Sequence, residues 1–132
     1  MMDILTRRQL LITQPNPDAS IDYLVSLDGR IDRSERKSIT IQIYYVPDQV
    51  ILDETSLSTY LKSIGAEVFP SSEHAGIMVL NDFNNELIPR WLQITLSQPF
   101  IIDGHPQTHE IRYQDRQPNW SNSPLLRSFG LR

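Results

Sequence analysis

The chain has 132 residues, 39% apolar and 21% charged, which fits one domain with a thin core that a partner subunit would complete, and argues against disorder. Its net charge is −4, and its basic residues fall only in small groups (Arg7 and Arg8; Arg30, Arg33, Arg36 and Lys37 interleaved with Asp28, Asp32 and Glu35), so a nucleic acid partner is disfavoured. It contains no cysteine, which excludes disulfides, thiolate metal sites and every cysteine-nucleophile mechanism.

The N-terminal stretch Met1 to Leu11 carries two arginines and runs into Gln14-Pro15-Asn16-Pro17-Asp18, where the apolar segment of a signal peptide would have to continue. No apolar run approaches the ~20 residues that cross a bilayer. A cytoplasmic protein without membrane contact is expected. Residues 1–18 read as an irregular N-terminal arm of a single domain spanning 1–132. Alternation of Ile21, Tyr23, Val25 and Leu27 predicts a strand. The polar segment from Asp28 to Ser38 contains Gly29 and reads as a connection. Ile39, Ile41, Ile43 and Tyr45 alternate with Thr40, Gln42 and Tyr44 in a second, β-branched strand that ends at Pro47-Asp48.

Helical spacing follows. Asp53 can cap a helix with Leu57, Tyr60, Leu61 and Ile64 on one stripe, and Gly65 stands where a C-terminal glycine is expected. After Pro70, Ser71 and Ser72 are candidate caps of a second helix, with the stripe Ile77, Leu80, Phe83 and Leu87 and an end before Pro89. Leu92, Ile94 and Leu96 then alternate in a third strand, and 108–113 form a weaker fourth. From about 118 to 132 the chain is rich in Ser, Asn and Pro and reads as an irregular tail.

The order strand-strand-helix-helix-strand-strand predicts an α+β fold, a four-stranded antiparallel sheet with two helices on one face. The other face would carry Thr40, Gln42 and Tyr44, and both sheet edges would be open. Closing several such sheets edge to edge into a ring removes both liabilities, so a homo-oligomer is expected.

Thr40-Ile41-Gln42-Ile43-Tyr44-Tyr45-Val46-Pro47-Asp48, followed by Asp53-Glu54-Thr55-Ser56-Leu57-Ser58-Thr59-Tyr60-Leu61, resembles the queuosine-pathway nitrile reductases. In that family a strand ending in Tyr-Val/Ile-Pro leads into a helix that begins Glu-x-Lys-Ser-x-Lys-x-Tyr. Asn16-Pro17-Asp18, Asn81-Asp82-Phe83 and Pro89-Arg90-Trp91-Leu92 extend the likeness over roughly residues 12 to 113. The resemblance implies the tunnelling fold, whose subunits have the element order read above and assemble into barrels by sheet pairing. It also implies that purine- or pterin-like bases bind between subunits.

The family reduces the nitrile of 7-cyano-7-deazaguanine with NADPH through a thioimide on cysteine. Counted back from Thr40, that cysteine falls at or near Arg30. An arginine stays protonated and cannot act as a nucleophile, and Ser26 and Ser34 have no visible base in the sequence. The NADPH motif departs as well: Asp53 replaces its glutamate and Thr55 and Ser58 replace its lysines, while Ser56 and Tyr60 are kept. The resemblance leaves Asp53, Ser56 and Tyr60 as ligand-binding candidates and no cofactor assigned. Aligned back from Asn81-Asp82, Glu73 falls on the family glutamate that accepts hydrogen bonds from the N–H groups of a guanine-like edge. Glu73 equally reads as a helix N-terminal acid favoured by the helix dipole. His74 stands where many members have a proton-donating aspartate, and is the one candidate for a catalytic role.

His74, His105 and His109 raise the question of a metal, but no His-x-His pair exists, and His105 and His109 would lie about 13 Å apart along a strand. No metal is expected. Asp22, Asp28 and Asp32 read as a solvated loop, and Trp91 and Tyr44 as sheet packing. Two functions follow: a base-binding module or scaffold without nitrile reduction, or an enzyme of the same superfamily acting on a purine or pterin, which includes the nitrile reduction itself by an atypical mechanism.

Overall fold

The computed structural model describes residues 2–34 and 36–131. Its centre is a four-stranded antiparallel sheet in the order β2-β3-β5-β6, formed by β2 (Val25–Ile31), β3 (Ile39–Val46), β5 (Trp91–Ile102) and β6 (His105–Arg116). On β3 the residues Ile39, Ile41, Ile43 and Tyr45 are buried while Thr40 is exposed, as a two-residue period dictates. Two helices pack against that apolar face. In α2 (Leu57–Gly65) the stripe Leu57, Tyr60, Leu61 and Ile64 is buried throughout. A short 3-10 turn, Glu54–Ser56, precedes it, and the Asp53 side chain accepts from the Thr55 N–H. The longer α3 (Ser72–Leu87) is capped by Ser71, whose side chain accepts from the His74 N–H. Strands β5 and β6 meet at the two-residue turn Asp103-Gly104, both with positive φ, the geometry whose twist suits a tight hairpin.

Several sequence expectations are corrected. The first strand begins four residues later than Ile21 and continues to Ile31, so Gly29 and Arg30 lie in β2, opposite Ile41 and Thr40. Gly29 does not make a turn. A Cβ at this position would overlap the Leu61 side chain, so the missing side chain lets α2 sit down on the strand. Gly65 is likewise the last helical residue and not a left-handed terminator, because the cap Ala66 is right-handed. A Cβ on Gly65 would overlap the Asp32 carbonyl oxygen. The buried side of α3 is Ala75, Val79, Phe83 and Leu87, with Gly76 and Asp82 beside them, while Ile77 is half-exposed and Leu80 only partly buried.

Neither terminal segment is irregular throughout. The arm contains α1 (Ile4–Gln9) and β1 (Thr13–Pro15), and β1 pairs with β4 (Val50–Leu52) in a separate two-stranded sheet. The tail contains α4 (Ser123–Ser128). Leu126 joins Val46 and Trp91 in a second small core, with Leu24, Tyr44, Trp120 and Leu125 packed on it. The tail therefore covers part of the sheet face that an adjoining subunit was expected to cover. On β5, Trp91 is buried in this second core while Leu92, Ile94 and Leu96 are buried in the main one. Among the described residues both outer edges stay unpaired, since β2 pairs only with β3 and β6 only with β5.

Candidate functional site

The first turn of α3 brings two sequence candidates to the open β6 edge. Tyr113 of β6 lies against Gly76, where a Cβ would overlap its ring, and its hydroxyl donates to the Glu73 carbonyl at 2.8 Å. Burial, with the Glu73 charge added, pushes the Tyr113 hydroxyl pKa up. This contact fixes the start of the helix against the strand and sets the Glu73 carboxylate 3.4 Å from His109 Nε2. The two side chains are 52% and 43% exposed. A contact so open to water, ionic only when the imidazole carries a proton, holds the carboxylate by at most about 1 kcal/mol. His74 is also exposed, and its Nδ1 lies 2.7 Å from the Ser71 hydroxyl. Nothing in the sequence marked His109 as a neighbour of Glu73, since 36 positions separate them and only the packing of α3 on β6 joins them.

Asp53, Ser56 and Tyr60 gather at the start of α2, apart from that edge. The Asp53 carboxylate accepts from the Thr55 N–H and hydroxyl at 3.1 and 2.7 Å. Ser56 is buried, donates to the Asp53 carbonyl at 2.7 Å and accepts from the Ile12 N–H at 3.2 Å. Tyr60 is fully buried and donates to Asp82 Oδ2 at 2.5 Å. These hydrogen-bonding groups are committed within the chain, and positions 55 and 58 carry hydroxyls where a dinucleotide phosphate would need cations. This helix start does not fit the phosphates of NADPH, and no chemical step is assigned through that cofactor.

Tyr60 belongs to a network that sequence reasoning missed. Asp82 of α3 is completely buried, and it accepts from Arg7 Nε at 2.7 Å, Arg7 Nη2 at 3.0 Å and Arg8 Nε at 2.9 Å. Its hydrogen bond to Arg7 holds that guanidinium even more firmly protonated than usual. Burial and the adjacent carboxylate both push the Tyr60 hydroxyl up. The network joins α1, α2 and α3. Its only signal in the sequence was an acid between the apolar positions of a helix and a pair of arginines in the arm.

Arg30, at or near which the resemblance implied the family's cysteine, is exposed on β2 and pairs with Asp32 at 2.8 Å. Of the three aspartates read as a solvated loop, Asp28 and Asp32 are exposed. Asp22 is not, and this corrects that reading: its carboxylate accepts from Arg90 Nη1 at 2.9 Å, Trp120 Nε1 at 3.1 Å and Asn122 Nδ2 at 3.0 Å. Trp91 is buried in the sheet. Among the described residues no group of three His, Cys, Asp or Glu side chains is placed to hold a metal ion, and no helix is long and apolar enough to cross a membrane.

A four-stranded antiparallel sheet with two helices inserted between its hairpins defines the subunit of a tunnelling fold. The solved structure of the archaeosine synthase QueF-Like in its apo form shares this fold, with a TM-score of 0.58 and 18% identity over 69% of this chain and 91% of that one. The NADPH-dependent 7-cyano-7-deazaguanine reductase of Syntrophus aciditrophicus (strain SB) is 31% identical over 123 residues, 84% of this chain and 81% of the relative. The chain belongs to the 7-cyano-7-deazaguanine reductase family. No family model matches it.

Proposed function

We propose that the chain is a member of this family that does not carry out the cysteine-dependent nitrile reduction and instead binds a guanine-like or pterin-like base at Glu73. The observation that carries the reading is the Glu73 carboxylate, exposed at the unpaired edge of the sheet beside His109, in a chain with no cysteine to form a thioimide. A carboxylate is an acceptor on both oxygens, so it matches two adjacent N–H groups such as those of a guanine edge. The unpaired edges of β2 and β6 favour a homo-oligomeric barrel in which a second copy closes this site, since free edges of this length are otherwise a liability.

A specific contact favours a second reading. The His109 imidazole beside Glu73, with His74 one residue away, gives a titratable group next to the base anchor, as proton transfer on a purine or pterin would require.

The test is a thermal-shift titration with 7-cyano-7-deazaguanine, guanine and a pterin, on the native protein and on Glu73→Ala. A ligand at about 100 times its dissociation constant stabilises the native state by about 2.7 kcal/mol. A shift seen with the native protein and absent in Glu73→Ala supports the base site. No shift with any of the three refutes it. Turnover of a bound base that is lost in His109→Ala would favour the second reading.

A further inference from the structure

The base-site reading leaves unused a cavity on another part of the surface. The connection between β2 and β3 and the turn after α2 enclose about 200 Å³, lined by Arg33, Ser34, Arg36, Gly65, Glu67 and Phe69 among others. The Arg33 guanidinium lies over the Phe69 ring, 5.3 Å from its centroid, and its Nη2 donates to the Lys37 carbonyl at 3.1 Å. Its Nε is buried and has no hydrogen-bond partner. A buried donor left unmade costs about 1–3 kcal/mol, more when it is charged.

The charges around it are also unbalanced. Among the described residues neither Arg33 nor Arg36 forms an ion pair with an acid. Burial, and after it the charge of Arg36, push the Arg33 pKa down. Glu67 lines the same cavity, yet the cation whose charge it supports is Arg7. An arginine near the end of α2 would be favoured by the helix dipole, but the Arg33 hydrogen bond goes to its own loop. The loop itself is held in place, because the Asp32 carbonyl occupies the space a Cβ on Gly65 would need.

We propose that this cavity binds the phosphate group of a small ligand, with Arg33 and Arg36 as its cationic partners and Phe69 as its floor. Planar guanidinium forks match phosphate oxygens in geometry as well as charge. A phosphate here meets the exposed ends of the two guanidinium groups and relieves the repulsion between them. The site is independent of whether Glu73 holds a base.

The experiment is an amide-shift NMR titration of the native chain with inorganic phosphate, ribose 5-phosphate and ribose, at constant ionic strength so that general screening is held fixed. Saturable shifts confined to residues 32–38 and 64–70 are expected with both phosphates and not with ribose. Tighter binding of ribose 5-phosphate identifies a phosphorylated metabolite as the ligand, while equal binding identifies free phosphate. Arg33→Gln and Arg36→Gln are each expected to weaken binding about tenfold or more, as loss of a charge-assisted contact does, and Glu73→Ala to leave it unchanged. Absence of saturation up to about 20 mM phosphate, far weaker than the millimolar range of the weakest specific sites, overturns the proposal. So do shifts centred elsewhere, or native affinity in both arginine variants. The native titration decides the matter even if a variant fails to fold.

Discussion

Asp82→Asn tests the buried network that ties the arm to the helices. The substitution keeps the side-chain volume but removes the charge that faces Arg7, which is 7% exposed, and replaces one of two acceptor oxygens with a donor. Four hydrogen bonds converge on this carboxylate, three from guanidinium nitrogens and one from Tyr60. Breaking a buried pair by removing one partner costs about 3–5 kcal/mol, because the other charge stays buried and unpaired. The chain has one escape: α1 can leave the surface and carry Arg7 and Arg8 into water. What opposes this is small, chiefly the burial of Leu11 and the bond from the Ile12 N–H to Ser56. The lower figure, about 3 kcal/mol, is therefore expected in urea unfolding at neutral pH, corresponding to a fall in Tm of about 10 °C for a chain of this size. Hydrogen exchange supplies the second readout, with protection lost at the amides of α1 and kept in β3 and β5. A loss below about 1 kcal/mol, with α1 still protected, would refute the claim that Asp82 holds the arm.

Two pH dependences follow from the same contacts. The folded pKa of Tyr60 is raised by burial and by Asp82, and that of Tyr45 by burial, so their stabilising contribution is complete below the ordinary tyrosine value of about 10 and declines above it. Alkaline unfolding is expected to steepen above pH ~10, and Tyr60→Phe to reduce that slope; an unchanged slope contradicts the assignment. At Asp22 burial raises the pKa, but donors from Asn122, Arg90 and Trp120 outweigh it and the net shift is downward. Its contribution is therefore present above the ordinary carboxyl value of about 3.9 and lost as the pH falls through the lower folded value. Trp120 fluorescence should report release of the tail in acid, at higher pH in Asp22→Asn, and identical curves for the two proteins would exclude Asp22 as the anchor.

The sheet and its two helices were legible because their signals are periodic. Ile39, Ile41, Ile43 and Tyr45 alternate, and Leu57, Tyr60, Leu61 and Ile64 recur at helical spacing, so burial on one face follows directly. The arm and tail were not legible for the opposite reason. Each of α1 and α4 has six residues, too few for a periodicity to show, and each is held by long-range polar contacts: Arg7 to Asp82, and Trp120 and Asn122 to Asp22. Gly29 and Gly65 misled for a related reason. Glycine was read as a local signal, whereas both are required by a neighbour distant in sequence, Leu61 in one case and Asp32 in the other. At the candidate site Glu73 was found through the resemblance and His109 was not, because only the docking of α3 on β6 brings it there.

Burial also separates the parts of the family's pattern that persist from those that have changed. Thr55 and Ser58, which replace the two lysines, are exposed, and so is Arg30, at or near which the resemblance implied the cysteine. Ser56 and Tyr60, which match the pattern, are buried and bonded to Asp53, Ile12 and Asp82. A buried side chain with a committed hydrogen bond cannot be replaced without a cost of about 1–3 kcal/mol, while an exposed one changes within about ±0.5 kcal/mol. Retention of Ser56 and Tyr60 is thus accounted for by the fold, whatever ligand the protein meets. Glu73 does not share that account. Its carboxylate is half-exposed, its contact with His109 is open to water, and the contact that docks α3 on β6 uses its backbone carbonyl and Gly76, not its side chain. Packing would tolerate other polar residues there, and an acid in the first turn of α3 is favoured by the helix dipole in any case, so only the comparison of the native protein with Glu73→Ala in the presence of a base separates a ligand role from a helix-capping one.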